Sequence, residues 1–454
     1  MSSNLLVVRG VAWTTGTYAV SIVLRFASSI VLSRLLNPQL LGMILIVNTI
    51  RQGVELSSDV GLAQNVINNR DGGKPLFYNT IWVMQIVRGW LLGAILFFCA
   101  APLGRLYGLP LTAFEISAAT LLVTGFASTS VFLLHRNLEL ARLNLFDLAN
   151  DLISAIIVVG AALVSPTLEC LLGSLLIAQI FRTLLSYVVS DYTNNFMFSK
   201  AIAVQALTFG KWIFASSILA FLCASFDRLY LGKVVPLAIV GVYGLARALA
   251  EVPTLLAARV GYSVIFPLVS SSRQADESGA HARLSSMRFK LLLAGALAMA
   301  FGVSISDLVV TFIYDARYHE ATWMLTLLLV GGWLSMLCSM SEYALLGLGK
   351  PVYGMVGNGL KLAFYVTVLP FAYSTVGLIG AILAIAFSDI GRYIVIAIGQ
   401  RREHFSFLRQ DVASTLLFIA LIVVMSFIRY EADLGTAFDS IPIQNLAPLF
   451  GRPV

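Results

Sequence analysis

Residues 291–312 read LLLAGALAMAFGVSISDLVVTF, an apolar run interrupted by one charged residue, Asp307. A helix needs about 20 such residues to cross a hydrocarbon core of about 30 Å. In lipid, backbone polar groups must be hydrogen-bonded within their own segment, so a run of this kind is a transmembrane helix. Runs at 323–345 and 412–428 have the same character. These stretches predict an all-α, polytopic membrane protein.

The composition of the whole chain agrees with this prediction. Of its 454 residues, 59% are hydrophobic and 12% are charged, whereas a soluble domain has about 45–50% and about 25%. The longest polar gap, residues 270–290, is too short to fold as a soluble domain. The predicted spans are 11–33, 39–60, 78–101, 111–134, 146–165, 168–190, 208–231, 238–260, 289–313, 321–346, 352–372, 376–399 and 412–429.

Basic residues are distributed unevenly between the two sides of these spans. Cytoplasmic loops carry the excess of Lys and Arg in membrane proteins, so the richer side predicts a cytoplasmic N-terminus. The net charge of +7 follows from this bias and predicts no nucleic-acid partner. The tail after residue 430 is too polar to cross the membrane again. Either the C-terminus is therefore outside, or residues 412–429 do not form an ordinary span. The richer side holds Arg9, Arg70, Lys74, Arg136, Arg142, Lys200, Arg273, Arg283, Arg288, Lys290, Lys350, Arg401, Arg402 and Arg409; the other holds Arg34, Arg105, Lys233 and Arg317.

Two similar stretches indicate an internal repeat. Residues 33–42 read SRLLNPQLLG and residues 232–241 read GKVVPLAIVG, which aligns Gly42 with Gly241. Six spans separate the first stretch from the second. Because six is an even number, the chain enters both halves from the same side of the membrane, and the two halves have the same orientation. This predicts parallel six-helix lobes at 1–200 and 201–400, with an extra C-terminal helix and tail at 401–454, as in many transporters. Chance similarity between apolar sequences is the alternative.

Three blocks resemble bacterial polysaccharide-transport proteins. The first contains VLSRLLNP at 31–38 and SDVGL at 58–62, the second contains FDRLYLG at 226–232 and GVYGLA at 241–246, and the third is LGLGKP at 346–351. The chain is therefore identified as similar to the oligosaccharide-lipid flippases of the multidrug/oligosaccharidyl-lipid/polysaccharide exporter superfamily, which are MATE-like in fold.

The resemblance implies a function and its partners. It implies alternating access that moves undecaprenyl-pyrophosphate-linked oligosaccharide across the bacterial inner membrane, for exopolysaccharide, O-antigen or capsule (surface polysaccharide) synthesis. The implied partners are this polyprenyl pyrophosphate lipid, membrane lipids and the polysaccharide polymerase machinery. The resemblance does not identify the sugar.

Charged residues inside the predicted spans point to an anionic substrate. Each costs at least about 2.5–3.5 kcal/mol at mid-membrane, so it faces a partner or a wet cavity. Arg25, Arg88, Arg182 and Lys361 have no opposite charge one turn away. Because guanidinium binds phosphate oxygens bidentately, we predict one central pyrophosphate-binding cavity. Its predicted ligands are Arg25, Arg88, Arg247 and Lys361.

The alternative to a phosphate site is a structural role for these bases. Three pairs stand one helical turn apart and predict local ion pairs: Arg51 with Glu55, Arg247 with Glu251, and Asp389 with Arg392. The remaining bases would then form ion pairs between helices. Their candidate partners are Asp59, Asp147, Asp151, Asp307 and Glu342.

The energy source is predicted to be an ion gradient or the gradient of the substrate itself. No phosphate-binding loop is present, because Gly210-Lys211 and Gly349-Lys350 lack its spaced glycine and its Ser or Thr. The four cysteines form no CxxC pair, so we predict no metal site and no cofactor. Asp389, Glu251 and Asp59 are candidate carriers of H⁺ or Na⁺, since a carboxylate in a low-dielectric cavity can titrate near neutral pH. A structural ion pair is the alternative for each.

Three other functions compete with this one. An ion-coupled drug or cation antiporter of the same superfamily would have an acidic cavity. A membrane-embedded polysaccharide polymerase or glycosyltransferase would have a sizeable outer loop with catalytic groups, whereas the short loop at 314–320 offers only Asp315, His319 and Glu320. A lipid II flippase would serve cell-wall synthesis, and its loss would cause lysis. We predict a transporter and not an enzyme.

Overall fold

The computed structural model describes residues 3–275 and 280–442, and every regular element within them is helical. A π-helical turn at Gly261–Ile265 joins α11 to α12, and short 3-10 turns occur at Ala316–Tyr318 and Ala437–Ser440. The α-helices are α1 Ser3–Leu35, α2 Pro38–Leu56, α3 Leu62–Asn68, α4 Pro75–Phe98, α5 Ala100–Tyr107, α6 Leu111–Gly125, α7 Ser130–Arg136, α8 Leu140–Val164, α9 Leu168–Val188, α10 Lys200–Val234, α11 Leu237–Val260, α12 Phe266–Ala275, α13 Ala280–Ile313, α14 Ala321–Gly347, α15 Val352–Val376, α16 Leu378–Ala386, α17 Ile390–Arg402 and α18 Leu408–Glu431.

Among the described residues, eleven of the thirteen predicted spans coincide with segments that are long and apolar enough to cross a membrane, if the bent pair of α6 and α7 is counted as one; those predicted at 11–33 and 39–60 do not. In the described part of the chain, ten segments are long and apolar enough to cross a membrane, and α6 with α7, bent by 57°, make up to an eleventh. The predicted spans at 11–33 and 39–60 are occupied by α1 and α2. The span predicted at 376–399 consists of two successive helices, because residues 387–389 between α16 and α17 are not helical. The predicted all-α polytopic fold is confirmed.

The chain divides into two compact units. Unit 1 consists of Met1–Phe221 and Arg228–Gly241, and unit 2 consists of Leu222–Asp227 and Val242–Val454. The predicted lobe boundaries at residues 200 and 400 stay a prediction.

The repeated SRLLNP motif ends α1 and starts α2. Asn37 is the N-cap of α2, and its side chain accepts a hydrogen bond of 2.8 Å from the backbone N–H of Leu40. Pro38 occupies the first helical position, where a backbone N–H would have no partner within the helix. The motif therefore turns the chain sharply and starts the next helix in one step.

The two glycines of the repeat meet where α2 crosses α11. A Cβ atom on Gly42 would overlap the carbonyl oxygen of Leu237, and one on Gly241 would overlap that of Pro38. The contact is reciprocal, since the alignment of the repeat makes Pro38 equivalent to Leu237 and Gly42 equivalent to Gly241. Such reciprocity is characteristic of segments related by two-fold symmetry. It supports the predicted equivalence of the two glycines.

In unit 2, helix α18 lies parallel to α13 and is joined to it at both ends. Near their N-termini, Arg288 Nη2 lies 2.6 Å from Asp411 Oδ1. Near their C-termini, Arg429 Nη2 lies 2.7 Å from Asp307 Oδ2. Two pairs in this order require both helices to run in the same direction. The sequence placed Arg288 in a polar loop; it is instead fully buried in α13.

The long segment from α11 to α12 is interrupted twice. Pro253 lies inside α11 and cannot donate a backbone hydrogen bond. The π-helical turn follows at Gly261–Ile265. A Cβ on Gly261 would overlap the ring of Tyr343 on α14, so the absence of a side chain allows this close approach.

Candidate functional site

Unit 2 contains a chain of four largely buried charges that connects three helices. Lys361 of α15 places Nζ 2.9 Å from Oδ2 of Asp389. The other oxygen of that carboxylate lies 3.3 Å from Nη1 of Arg392 on α17. Arg392 also pairs with Glu342 of α14. Two positive and two negative charges therefore neutralise each other, which reduces the cost of placing them inside the bundle.

Asp389 is available for this network because of the break between α16 and α17. It occupies the N-cap position of α17, where an aspartate ordinarily accepts hydrogen bonds from the first N–H groups of the helix. Its side chain makes no such bond. It accepts hydrogen bonds from Ser335 and Lys361 instead. The predicted one-turn pair with Arg392 is also present.

A second buried group surrounds Arg247 of α11. Its Nε lies 2.9 Å from Oε1 of Glu251, which confirms the predicted local pair, and 3.6 Å from Oδ2 of Asp227. Asp227 is fully buried and accepts a hydrogen bond from the Tyr243 hydroxyl. Two acids therefore hold one guanidinium in a fixed position.

Arg247 and Lys361 meet at one small cavity in unit 2. The cavity measures about 40 Å³ and is also lined by Glu251, Asp389 and Ser335. A buried water needs roughly 10–15 Å³ of such space, so there is room for about three waters. A phosphate group would therefore require the carboxylates to move aside or the cavity to open.

In unit 1, two predicted substrate-facing bases form ion pairs between helices. Arg25 Nη2 lies 3.1 Å from Asp151 Oδ1, which joins α1 to α8. Arg182 Nη2 lies 3.9 Å from Asp147 Oδ1, which joins α9 to α8. In this conformation, Arg25 and Arg182 therefore have the structural role that was the alternative to phosphate binding. The Arg25 side chain nevertheless remains 72% accessible.

Arg88 of α4 contacts the C-terminal end of α2. It donates hydrogen bonds to Ser58 Oγ at 2.9 Å and to the backbone carbonyl of Glu55. A cation is favourable there, because the last carbonyls of a helix have no partner within it. Asp59 follows in the turn beyond the helix, since α2 ends at Leu56 and not at the predicted residue 60. Its carboxylate accepts a hydrogen bond of 2.9 Å from the N–H of Gly61.

Unit 1 also contains a larger cavity, of about 260 Å³, among α2, α6, α8 and α9. Arg51 and Arg182 line it, together with amide, hydroxyl and a few apolar side chains. Sequence reasoning missed this cavity. The available signal was pairs of polar residues one turn apart within apolar spans, such as Asn48 with Gln52. We name this space the amide cavity.

The predicted site residues are thus distributed between the two units. Arg247 and Lys361 share one cavity with the candidate ion carriers Glu251 and Asp389. Arg25 and Arg88 contact different helices of unit 1. Phosphate binding by the set stays a prediction. Among the residues described, no group of three or more His, Cys, Asp or Glu side chains could hold a metal ion.

Comparison with known sequences identifies a family and its members. The model of a family described as polysaccharide biosynthesis protein matches residues 31–322, which is more than half of the chain. The succinoglycan biosynthesis transport protein ExoT of Rhizobium meliloti (strain 1021) is 23% identical over 353 residues. That match covers 76% of this chain and 70% of the relative.

Comparison with solved structures identifies the fold. The lipid II flippase MurJ, in an inward closed conformation, matches with a TM-score of 0.71 at 12% identity, covering 96% of this chain and 97% of that one. An inward-facing multidrug resistance MATE family transporter of the MOP superfamily matches with a TM-score of 0.59 at 15% identity, covering 87% and 95%. These likenesses concern the fold alone, and the predicted MATE-like bundle is confirmed. With the family match, they confirm the resemblance found in the three sequence blocks.

Proposed function

This chain belongs to the polysaccharide biosynthesis protein family, and on that premise we propose that it is a flippase for undecaprenyl-pyrophosphate-linked oligosaccharide. It moves this lipid across the bacterial inner membrane, with its own N-terminus in the cytoplasm, for the synthesis of surface polysaccharide. The observation that carries the proposal is the set of basic side chains within a bundle of membrane-spanning helices. A substrate with two phosphates needs such groups at membrane depth. A polysaccharide polymerase is the partner that consumes the flipped lipid.

The proposed pyrophosphate ligands are Arg25, Arg88, Arg247 and Lys361. Each now contacts a carboxylate or another oxygen. Phosphate oxygens can replace these partners, because guanidinium binds carboxylate and phosphate with the same fork geometry and the lysine ammonium attracts both as a point charge. The present contacts keep the bases oriented until the lipid arrives. Alternating access of two lobes then carries the bound headgroup from one side to the other.

Ion coupling is proposed to act through the acids that hold these bases. Glu251 and Asp389 line the same cavity as Arg247 and Lys361, and Asp59 is a third candidate in unit 1. A proton on Glu251 would neutralise one of the two acids that hold Arg247, so that Asp227 alone would compete with phosphate for the guanidinium. Binding of the ion and binding of the substrate would then be linked, and Na⁺ at the carboxylate would act in the same way.

A drug or cation antiporter is the second candidate, favoured by the likeness to a MATE transporter. Such a protein would use an acidic cavity. The two acids that line the small cavity, Glu251 and Asp389, are each paired with a base. Neither is therefore left unpaired to attract a cation, and the flippase accounts better for the pairing.

We also propose that the chain breaks no covalent bond of its substrate. Asp315, one of the few outer-loop groups suited to catalysis, is held at 2.8 Å by Nε of Arg317 and caps a 3-10 turn. A solvated connection explains this loop.

Deletion of the gene tests the function. We expect loss of the surface polysaccharide, accumulation of undecaprenyl-pyrophosphate-linked oligosaccharide on the cytoplasmic face, and continued growth. Lysis of the deletion strain would instead indicate a lipid II flippase. Unchanged surface polymer together with drug sensitivity would support the antiporter.

Substitution of Arg25 tests the phosphate site. Arg25→Gln keeps most of the bulk and removes the charge, so we expect export to stop while protein level stays near normal. Arg25→Lys should restore export only in part, since an ammonium cannot form the same fork. If protein level falls with export in the Gln variant, the base is structural and the site is wrong.

A further inference from the structure

The amide cavity of unit 1 is lined by polar groups that lack partners within the protein. All four of Asn48, Gln52, Asn150 and Gln179 line the cavity, and within residues 3–275 and 280–442 their side chains form no hydrogen bond with the protein. Each amide offers two donors and an acceptor oxygen. A polar group left without a partner in hydrocarbon is costly. These groups must therefore be satisfied by water or by a polar ligand.

All four residues lie well inside their helices and not in the loops between them. Asn48 and Gln52 stand one turn apart within α2, Asn150 lies in the middle of α8, and Gln179 lies within α9. The two latter helices are each apolar and long enough to span the membrane. Polar residues from three helices therefore converge on one partly open space, in which Asn48, Asn150 and Gln179 are half-buried and Gln52 is exposed. Polar residues gathered in this way among apolar helices mark a pathway or a binding site.

The chemistry of the lining matches a sugar better than a phosphate or a cation. An amide presents a donor and an acceptor side by side, as a sugar hydroxyl does, whereas a phosphate accepts hydrogen bonds only. The lining contains two arginines and no carboxylate in the described residues, which disfavours a cation. Leu172, Leu175 and Ala178 give it an apolar side on which the C–H face of a sugar ring can pack.

The size of the cavity limits what it can hold. At about 260 Å³, it is close to the lower end of small-molecule sites, at about 300 Å³. It therefore suits one sugar residue and not a whole oligosaccharide. Arg51 and Arg182 stand at its wall, held by Glu55 and Asp147, and their N–H groups can donate to hydroxyl or acidic substituents of the ring.

We propose that the amide cavity binds one sugar residue of the lipid-linked oligosaccharide during transport, through Asn48, Gln52, Asn150 and Gln179. This inference rests on the proposed flippase function and adds a second point of recognition to it. The pyrophosphate ligands recognise the part of the substrate that all such lipids share. The amide cavity recognises the part by which they differ.

Binding measurements on the full-length protein in nanodiscs test the proposal. The two probes are undecaprenyl pyrophosphate without sugar and the undecaprenyl-pyrophosphate-linked oligosaccharides extracted from the host membrane. The wild type should bind the sugar-bearing lipid more tightly. The double variant Gln52→Leu/Asn150→Leu should lose about tenfold of that affinity, since it loses several hydrogen bonds, and should bind the sugar-free lipid as before.

Two further variants control the result. Asn144→Leu makes the same change on α8 outside the lining of the cavity and should bind both lipids as the wild type does. Asn150→Ala is a milder variant in case the double variant does not fold; it should lose affinity only for the sugar-bearing lipid. Equal loss for both lipids, or no loss for either, overturns the sugar site.

Lys361→Gln separates this outcome from failure of the proposed function. It should weaken both lipids equally, because it acts on the shared pyrophosphate. If Lys361→Gln weakens the binding of both lipids while the wild type binds both with equal affinity, the flippase function is supported and the sugar site is wrong. If the wild type binds neither lipid, both proposals are wrong.

Discussion

Lys361 and Asp389 form an ion pair that is largely closed to solvent, with side-chain accessibilities of 10% and 5%. A pair of this kind adds little net stability, but removing one partner leaves a buried charge without compensation, which costs up to about 3–5 kcal/mol. Arg392 also contacts Asp389 and offsets part of that cost. The same lysine can therefore be structural at rest and bind phosphate during transport.

A pair of variants separates these two roles of Lys361. Lys361→Met should lower the protein level, because Asp389 loses its nearest counter-charge. Adding Asp389→Asn removes the excess charge, so the level should recover while polysaccharide export does not. Immunoblots and surface-polymer assays on the same cells measure both quantities.

Lys350→Met is the matched control for this pair. Lys350 pairs with Glu403 but is 47% accessible, and an exposed pair contributes about 0–1 kcal/mol. Loss of the Lys350 charge should change neither the protein level nor the export of polysaccharide appreciably. Recovery of export in the double variant of Lys361 and Asp389 would show that the lysine does not bind substrate.

The close approach of α2 to the first turn of α11 depends on two glycines. Backbone carbonyls occupy the space that a Cβ on Gly42 or Gly241 would need. A carbonyl cannot rotate away as a flexible side chain can, so a larger residue must push the helices apart. The SRLLNP motif fixes the residue at which α2 begins, and with it the position of Gly42 in the first turns of the helix.

Gly42→Ala should therefore destabilise the protein. Overpacking costs about 1–3 kcal/mol, which exceeds the gain of up to about 1 kcal/mol from replacing a helical glycine by alanine. Thermal unfolding of the purified protein in detergent should show a lower midpoint. Gly173→Ala on α9 is the control, since among the described residues no atom beyond the adjoining stretch of α9 lies within 4 Å of its Cβ position; it should be neutral or stabilising. Equal midpoints for Gly42→Ala and wild type would contradict the close crossing.

The parallel course of α13 and α18 bears on the topology of the entire chain. Because their N-termini and C-termini are paired, the segment after α18 emerges on the same side as the loop at 314–320. That loop belongs to the side poor in basic residues and is expected to lie outside. Of the two alternatives for the C-terminal region, the structure thus favours a C-terminus on the outer side over an unconventional course of residues 412–429.

Cysteine labelling tests this topology. In a background without the four native cysteines, an impermeant thiol reagent applied to intact cells should modify cysteine substituted for Arg105, Arg317 or Ser440. Positions 9 and 350 should react only after the membrane is permeabilised. Reaction at position 350 in intact cells would reverse the assigned orientation and contradict the parallel repeat.

The class of fold could be predicted from apolar runs such as residues 291–312, because length and hydropathy alone decide whether a helix crosses a bilayer. Pairs one turn apart, such as Arg247 with Glu251, could be predicted for the same local reason. The pair of Arg25 with Asp151 could not, since it depends on which helices are neighbours. The amide cavity could not be predicted from the sequence, because each helix supplies only a few of its lining residues. Which face of each helix points into the cavity is decided by packing between helices.

The π-helical turn at Gly261–Ile265 affects how this chain aligns with its relatives. A π turn contains one residue more than the α turn that would otherwise occupy the same length of helix axis. A relative with a continuous α-helix here is therefore expected to be one residue shorter, and its alignment needs a single gap between 261 and 265. With the gap misplaced, the intervening residues would be matched to positions about 100° away around the helix.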